Sequence, residues 1–204
     1  MSSPERTSSS DARRARVEDA VRGLLAEQGF RISMEAVAAR VGCSKQTLYN
    51  QYGSKQELLR QVIESHLGQA TGPLAQRQDD PATALMAFAE QHLNHLCDPW
   101  TVATGQLMCA EAHQFPEMAQ AVFHDSCDNL TNKLAAWFAR AMDKQLLRRA
   151  DPQMTAELFL GMVVGLDFDR QRFKVPHRDT HLKRQRWAQF AVDNFLRAFA
   201  PVSN

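Results

Sequence analysis

The stretch VGCSKQTLYNQY, residues 41–52, decides the fold. A glycine and a cysteine mark a bend, and the residues from Ser44 onward are nearly all polar, with Leu48 as the one large aliphatic anchor. A segment so poor in apolar residues contributes little to a core, so it faces water or another polar surface. The flanking periodicities say how it is held. Upstream, Val17, Ala20, Val21, Leu24 and Leu25 recur at helical spacing, which predicts an amphipathic helix that stops at Gln28-Gly29 with Gly29 as a left-handed cap. Ser33 offers an N-cap to a second helix carrying Met34, Val37, Ala38 and Val41 on one face, closed by Gly42. Ser44 caps a third, short helix to about Asn50, and Gly53 ends it. Ser54 with Glu57 three residues on reads as a capping box that opens a fourth helix through Leu58, Leu59, Val62, Ile63 and Leu67.

Two short helices joined at a glycine-containing turn make a helix-turn-helix, and the chemistry of the second helix suits the major groove. Gln46 and Asn50 can pair bidentately with adenine edges, Lys45 can reach guanine acceptors, and the Thr47 methyl can touch the thymine methyl. Tyr49, Tyr52 and Lys55 suit phosphates, helped by the unpaired N–H groups at the start of the fourth helix. With Ser33 and Ser44 at the helix starts, these complete the expected DNA-binding set. The competing reading of the same residues is a solvated helix face with two tyrosines plugging the core.

ISMEAVAARVGCSKQTLYNQYGSKQELLRQVI, residues 32–63, closely resembles the DNA-binding signature of the TetR/AcrR family of bacterial one-component transcriptional regulators. The family pattern of a Gly-x-Ser turn, a Thr-Leu-Tyr core and an aromatic-x-x-Lys-x-x-Leu-Leu helix start falls here on Gly42 and Ser44, on Thr47, Leu48 and Tyr49, and on Tyr52, Lys55, Leu58 and Leu59. At Asn50-Gln51-Tyr52 the family more often has a histidine and a phenylalanine; the change keeps polarity and aromaticity and bears on operator identity. Farther on, EAHQFPEMAQAVFHD, residues 111–125, resembles an AefR-like branch of the family.

The rest of the chain fits that frame. Its 204 residues, 44% hydrophobic and 23% charged, can bury a core in one domain or two small ones. The polar start offers no apolar run of a signal peptide, and no window approaches the roughly 18 apolar residues of a membrane span. Cysteines at 43, 97, 109 and 127 show no C-x-x-C spacing, which suits a reducing cytoplasm. The net charge of +1 conceals a slightly basic N-terminal part on a near-neutral body, a mild pointer to nucleic acid.

After a Gly/Pro/polar loop, GQATGPLAQRQDDPA, Asp80-Pro81 starts a second, all-helical region. Apolar stripes run through Leu85, Phe88, Ala89, Leu93 and Leu96, then Ala103, Leu107 and Met108, then one long stripe from Ala119 to Phe138. Asp151-Pro152 opens a helix with Leu158, Phe159, Met162, Val163 and Leu166, and the last runs through Trp187, Phe190, Ala191, Phe195 and Phe199. The expected architecture is all-α with about nine helices: a flexible polar tail over 1–11, a helix-turn-helix domain over 12–60, and a helical effector-binding and dimerisation domain over 61–204. Gly161 and Gly165, one turn apart, each disfavour a helix by about 1 kcal/mol against Ala. They read as a close helix contact, either within the subunit or across the dimer interface that the resemblance implies for the last two helices.

The resemblance also implies a cavity for a small, hydrophobic or amphipathic effector. Trp100, Met108, Phe123, Cys127, Trp137 and Met162 are candidates to line it, with His92, Glu111 and His113 as orienting groups, although ordinary core packing explains each one singly. Cys109 with His113 and His124 with Cys127 share helical faces, so a metal- or redox-sensing regulator is the alternative. No finger-like second pair follows, and no metal or cofactor is expected. The chain lacks G-x-S-x-G, H-E-x-x-H, a phosphate loop and a dinucleotide fingerprint, leaving an enzyme only Cys/His dyads. The basic cluster from Arg170 to Arg186 reads as a solvated loop and helix face. The expected protein is therefore a cytoplasmic, ligand-responsive regulator, a repressor by preference, that binds a palindromic operator as a homodimer and no membrane.

Overall fold

The structure is a computed structural model that describes residues 5–67, 74, 80–175 and 177–201. Every regular element among them is helical: α1 (Glu5–Gln28), a 3₁₀ turn (Gly29–Arg31), α2 (Met34–Val41), α3 (Lys45–Tyr52), α4 (Lys55–Leu67), α5 (Pro81–Leu96), α6 (Pro99–Glu111), α7 (Pro116–Phe123), a π-helical turn (His124–Asp128), α8 (Asn129–Asp143), α9 (Pro152–Val164), α10 (Asp167–Arg172) and α11 (His181–Ala198). Of the polar linker read at 68–82, residues 68–73 and 75–79 lie outside the described residues. Helix α1 starts earlier than the sequence suggested, at Glu5, so most of the stretch read as a tail is helical.

The chain divides into two compact units. The first comprises the chain up to His66 together with Gln106–Val122; the second comprises Leu67–Gly105 and the chain from Phe123 onward. In the first unit the periodic residues of α1, α2 and α4 form a core around Val21, Leu24, Val37, Leu58 and Leu59, into which α3 sends Leu48 and Tyr52. The caps are formed as chemistry demands. Ser33 Oγ accepts from Ala36 N–H and Ser44 Oγ from Thr47 N–H, both at 3.1 Å, and Gly42 turns the chain with φ of 76°. At Ser54 half of the capping box is made, since its Oγ accepts from Glu57 N–H at 3.1 Å. The Glu57 carboxylate turns to Arg60 and Gln61 instead, and those hydrogen bonds lower its pKa to about 2.

The second unit packs α5, α8, α9 and α11 around an aromatic centre. Phe159 has Phe88, Phe138 and Phe195 at centroid distances of 6.0, 5.7 and 4.8 Å, and all four rings are fully buried. Burial of rings this size supplies about 1.5–3 kcal/mol each, and the edge-on contacts add to it. Asp80 and Asp151 cap α5 and α9, each followed by a proline at the first helical position. Two expectations are corrected. The long stripe from Ala119 to Phe138 does not keep one register: the helical run over 116–143 is continuous, but the π turn inside it inserts an extra residue and shifts the apolar face. Gly165 lies beyond α9 rather than inside it: it caps the helix with φ of 53°, and its Cα side faces the Trp187 ring so closely that a Cβ would sit 3.1 Å from Cζ2. Gly161, by contrast, is exposed within α9 with nothing within 4 Å of the Cβ position.

Candidate nucleic-acid interface

Helix α3 is amphipathic in an unusual sense: its buried side consists of Leu48 and Tyr52, and everything else on it is polar. Leu48 is 1% exposed and anchors the helix, while Lys45, Gln46, Tyr49 and Asn50 stand outward. Tyr52, expected on the DNA-facing surface, is buried instead, because its ring supplies apolar area that this helix otherwise lacks. Burial raises the pKa of its phenol, and the hydroxyl accepts from Gln51 Nε2 at 3.1 Å.

The outward side chains are already paired. Gln46 Nε2 donates to Asn50 Oδ1 at 2.8 Å, one turn along, and the Ser44 and Thr47 hydroxyls share a hydrogen bond of 2.8 Å. Lys45 donates to Glu35 at the start of α2, a contact that holds the lysine pKa up and the glutamate pKa down, and its ammonium lies 5.6 Å from the centre of the Tyr49 ring. Both ions are exposed, so the pair is weak and exchanges readily with a competing partner. Lys55, at the start of α4, donates to the Phe30 carbonyl at 3.0 Å, which leaves two ammonium protons for other acceptors.

The residues read as effector contacts divide between the two units. Met108, Glu111 and His113 lie in the first, where Glu111 accepts from the backbone of Phe30. His92, Trp100, Phe123, Cys127, Trp137 and Met162 lie in the second. Of these, Trp137 is core, packed edge-on to Phe138, whereas Phe123 is 59% exposed and Cys127 is exposed. His92 is buried against Phe88, with its Nδ1 unbonded within the protein and its pKa pushed by burial to about 4. Of the Cys/His pairs, Cys109 with His113 belongs to the first unit and His124 with Cys127 to the second, and His124 pairs with Asp128 at 3.1 Å. Among the described residues, no group of three or more His, Cys, Asp and Glu is placed to hold a metal ion. No described helix is long and apolar enough to cross a membrane.

An exposed polar helix on a two-residue anchor, entered through a serine-capped glycine turn, is a helix-turn-helix reading head, and comparison with known proteins identifies its family. Residues 19–62 match the model for bacterial regulatory proteins of the tetR family, and residues 83–201 match that for the C-terminal domain of AefR-like transcriptional repressors. The chain belongs to the TetR family of transcriptional regulators and binds DNA through its N-terminal helix-turn-helix. Solved structures share the fold. A TetR-family transcriptional regulator from Mesorhizobium loti MAFF303099 is 21% identical, with a TM-score of 0.79 over 94% of this chain and 98% of its own. A TetR transcriptional regulator from Agrobacterium tumefaciens is 20% identical, with a TM-score of 0.77 over 93% and 95%. The flavonoid-responsive regulator FrrA is 25% identical, with a TM-score of 0.73 over 95% of this chain and 100% of its own. Among curated proteins none matches by sequence.

Proposed function

We propose that this chain is a cytoplasmic repressor that binds a palindromic operator as a homodimer and leaves it when a small apolar or amphipathic molecule binds the helical second unit. The observation that carries the DNA-reading part is the composition and exposure of α3: Lys45, Gln46, Tyr49, Asn50 and Gln51 stand exposed on a buried anchor. In this reading Gln46 and Asn50 open their mutual hydrogen bond to engage a base edge, Lys45 leaves Glu35 for a guanine or phosphate, and Thr47 touches a thymine methyl. Ser33, Ser44, Tyr49 and Lys55 engage the backbone.

Dimerisation is supported by the family and by large apolar side chains left exposed on the last long helices: Met154 and Leu158 on α9, a turn before Gly161, and Leu182 and Phe190 on α11. A dimer places two copies of α3 about 34 Å apart, one turn of the duplex. Effector control follows if the effector favours an arrangement of the second unit in which that spacing is lost. That one structural neighbour, FrrA, is a flavonoid-responsive regulator supports a small-molecule effector, as does a buried polar group, His92, in an apolar setting.

The test is a selection of duplexes from a random-sequence pool with the full chain, followed by titration of Gln46→Ala on the enriched sequence and its point variants. The substitution is expected to cost about 1–3 kcal/mol on the enriched sequence and to erase the preference at one base pair. Equal loss on every duplex would remove base reading from Gln46.

A further inference from the structure

Phe30 occupies the 3₁₀ turn between α1 and α2, and its backbone is gripped at both ends. Glu111 Oε2 accepts from its N–H at 2.8 Å, and Lys55 Nζ donates to its C=O at 3.0 Å. The ring between them is 2% exposed and meets Phe115 edge-on, with centroids 6.1 Å apart. Next to it, Arg31 Nη2 donates to Gln114 Oε1 at 3.3 Å. Gly29 is shaped to the same contact: its φ of 62° disfavours any side chain, and a Cβ there would lie 2.6 Å from Glu111 Oε1. Three elements distant in sequence, the end of α6, the entry to the helix-turn-helix and the start of α4, thus converge on one residue through two charge-assisted hydrogen bonds.

The position of Glu111 in the chain gives this contact its meaning. It is the last residue of α6, a single helix whose start, Pro99–Gly105, belongs to the second unit and whose end, from Gln106, belongs to the first. The chain leaves the first unit after Val122, in the last turn of α7 and just ahead of the π turn. The segment 106–122 is therefore a loan from the helical region to the DNA-binding unit, and a carboxylate at its leading end holds the turn that sets α2 and α3. We infer that the Glu111–Phe30–Lys55 contact is a latch: closed, it fixes the helix-turn-helix for operator binding; displacement of α6 opens it and lowers DNA affinity. Glu111 is thus a positioning residue that touches no DNA. The inference rests on the reading of the chain as an effector-controlled DNA-binding repressor.

The test uses the full chain with Glu111→Ala, Glu111→Gln, and Glu117→Ala as a control that removes the same charge from an exposed position on α7. Amide exchange is followed at residues 29–32 and, as a check on folding, at 84–93 in α5. Affinity and its salt dependence are measured on a duplex enriched from a random pool by the wild-type protein. Glu111→Ala is expected to speed exchange at Phe30 and to weaken the duplex, each by about tenfold or more, the size of a lost charge-assisted hydrogen bond. The salt slope is expected to stay at the wild-type value, since losing a phosphate contact would change it by about 0.9. Glu111→Gln, which keeps an acceptor oxygen, is expected to retain most of both properties, and Glu117→Ala all of both. Unchanged exchange at Phe30 in Glu111→Ala would overturn the latch. Faster exchange with unaltered duplex affinity would reduce it to a packing contact and overturn its control role. A wild-type protein that enriches no duplex would overturn the regulator reading and the control role with it.

Discussion

Replacing His92 with leucine should remove a pH dependence that this one side chain builds into the second unit. The imidazole is 7% exposed, lies nearly parallel to Phe88 with centroids 5.5 Å apart, and leaves Nδ1 buried without a hydrogen bond in the protein. Burial foremost, and then the neighbouring His95, hold its pKa at about 4. The folded chain therefore keeps this histidine neutral, while the unfolded chain protonates it near the ordinary value of about 6.5. Protons favour the unfolded state between these two values. The stability tied to neutral His92 is complete above about pH 6.5 and is lost as pH falls toward 4. A fall from 6.5 to about 4 corresponds to on the order of 3 kcal/mol, most of it gone by about pH 4.5. Leucine has a similar volume and no proton to gain, so the variant should lie within about 1.5 kcal/mol of wild type at neutral pH. Urea denaturation of both proteins at neutral pH and near pH 4.5, at one fixed protein concentration, gives the comparison. Wild type should lose on the order of 2–3 kcal/mol more than the variant on acidification. Equal losses would refute the assignment of a buried neutral imidazole at this position.

The two glycines of the α9 region should part company. Gly165→Ala should destabilise the chain by about 1–2 kcal/mol in thermal melts, because a left-handed φ and the Trp187 ring both oppose a Cβ. Gly161→Leu meets open space within the subunit and should instead shift sedimentation at micromolar concentration toward monomer, and a fully dimeric variant would place the interface elsewhere. Arg178→Leu should cost about 3–5 kcal/mol in denaturant midpoints, because it strands Asp167, which is 3% exposed with Arg178 Nη1 only 2.5 Å away. A cost below about 1 kcal/mol would show that charge and contact contribute little to this pair, which is not aligned as a hydrogen bond.

Local rules carried much of the fold into the sequence. Ser33, Ser44, Asp80 and Asp151 each cap the helix they were read to cap, Gly29 adopts the left-handed φ expected of it, and Gly42 ends α2 where it was read to end. These signals are short-range: a cap is a contact between a side chain and an amide two or three residues on, so residue type and spacing suffice. Apolar periodicity placed most core residues, such as Phe88, Phe159 and Phe195, but Phe123, Leu158 and Phe190 of the same stripes are exposed, because periodicity does not say against what a face packs. That Glu111 binds Phe30, 81 residues away, depends on a tertiary approach for which no spacing rule exists. The π turn escaped notice because one inserted residue shifts an apolar stripe without erasing it. Gly165 was read as part of a helix because the apolar pattern continues to Leu166, a residue that turns out to be exposed. At the reading head, exposure of α3 followed from its lack of apolar residues, whereas the burial of Tyr52 did not, since tyrosine serves equally well as an anchor or as a phosphate contact.

On the proposed reading of α3 as the base-reading helix, its closed pairing governs how the regulator finds its site. Gln46 with Asn50, Lys45 with Glu35 and Ser44 with Thr47 are already satisfied by one another in the free protein. Over non-matching DNA these pairs can stay shut while the protein is held by phosphate charge alone, so travel along the duplex strands no polar group. A matching base offers two bonds at once and replaces what the amides give up. Recognition is then an exchange of partners with little net gain in bond count. Discrimination resides in the cost of about 1–3 kcal/mol for an amide opened against the wrong edge. If Gln46 and Asn50 read base edges as proposed, fast search and slow departure come from the same four-residue spacing.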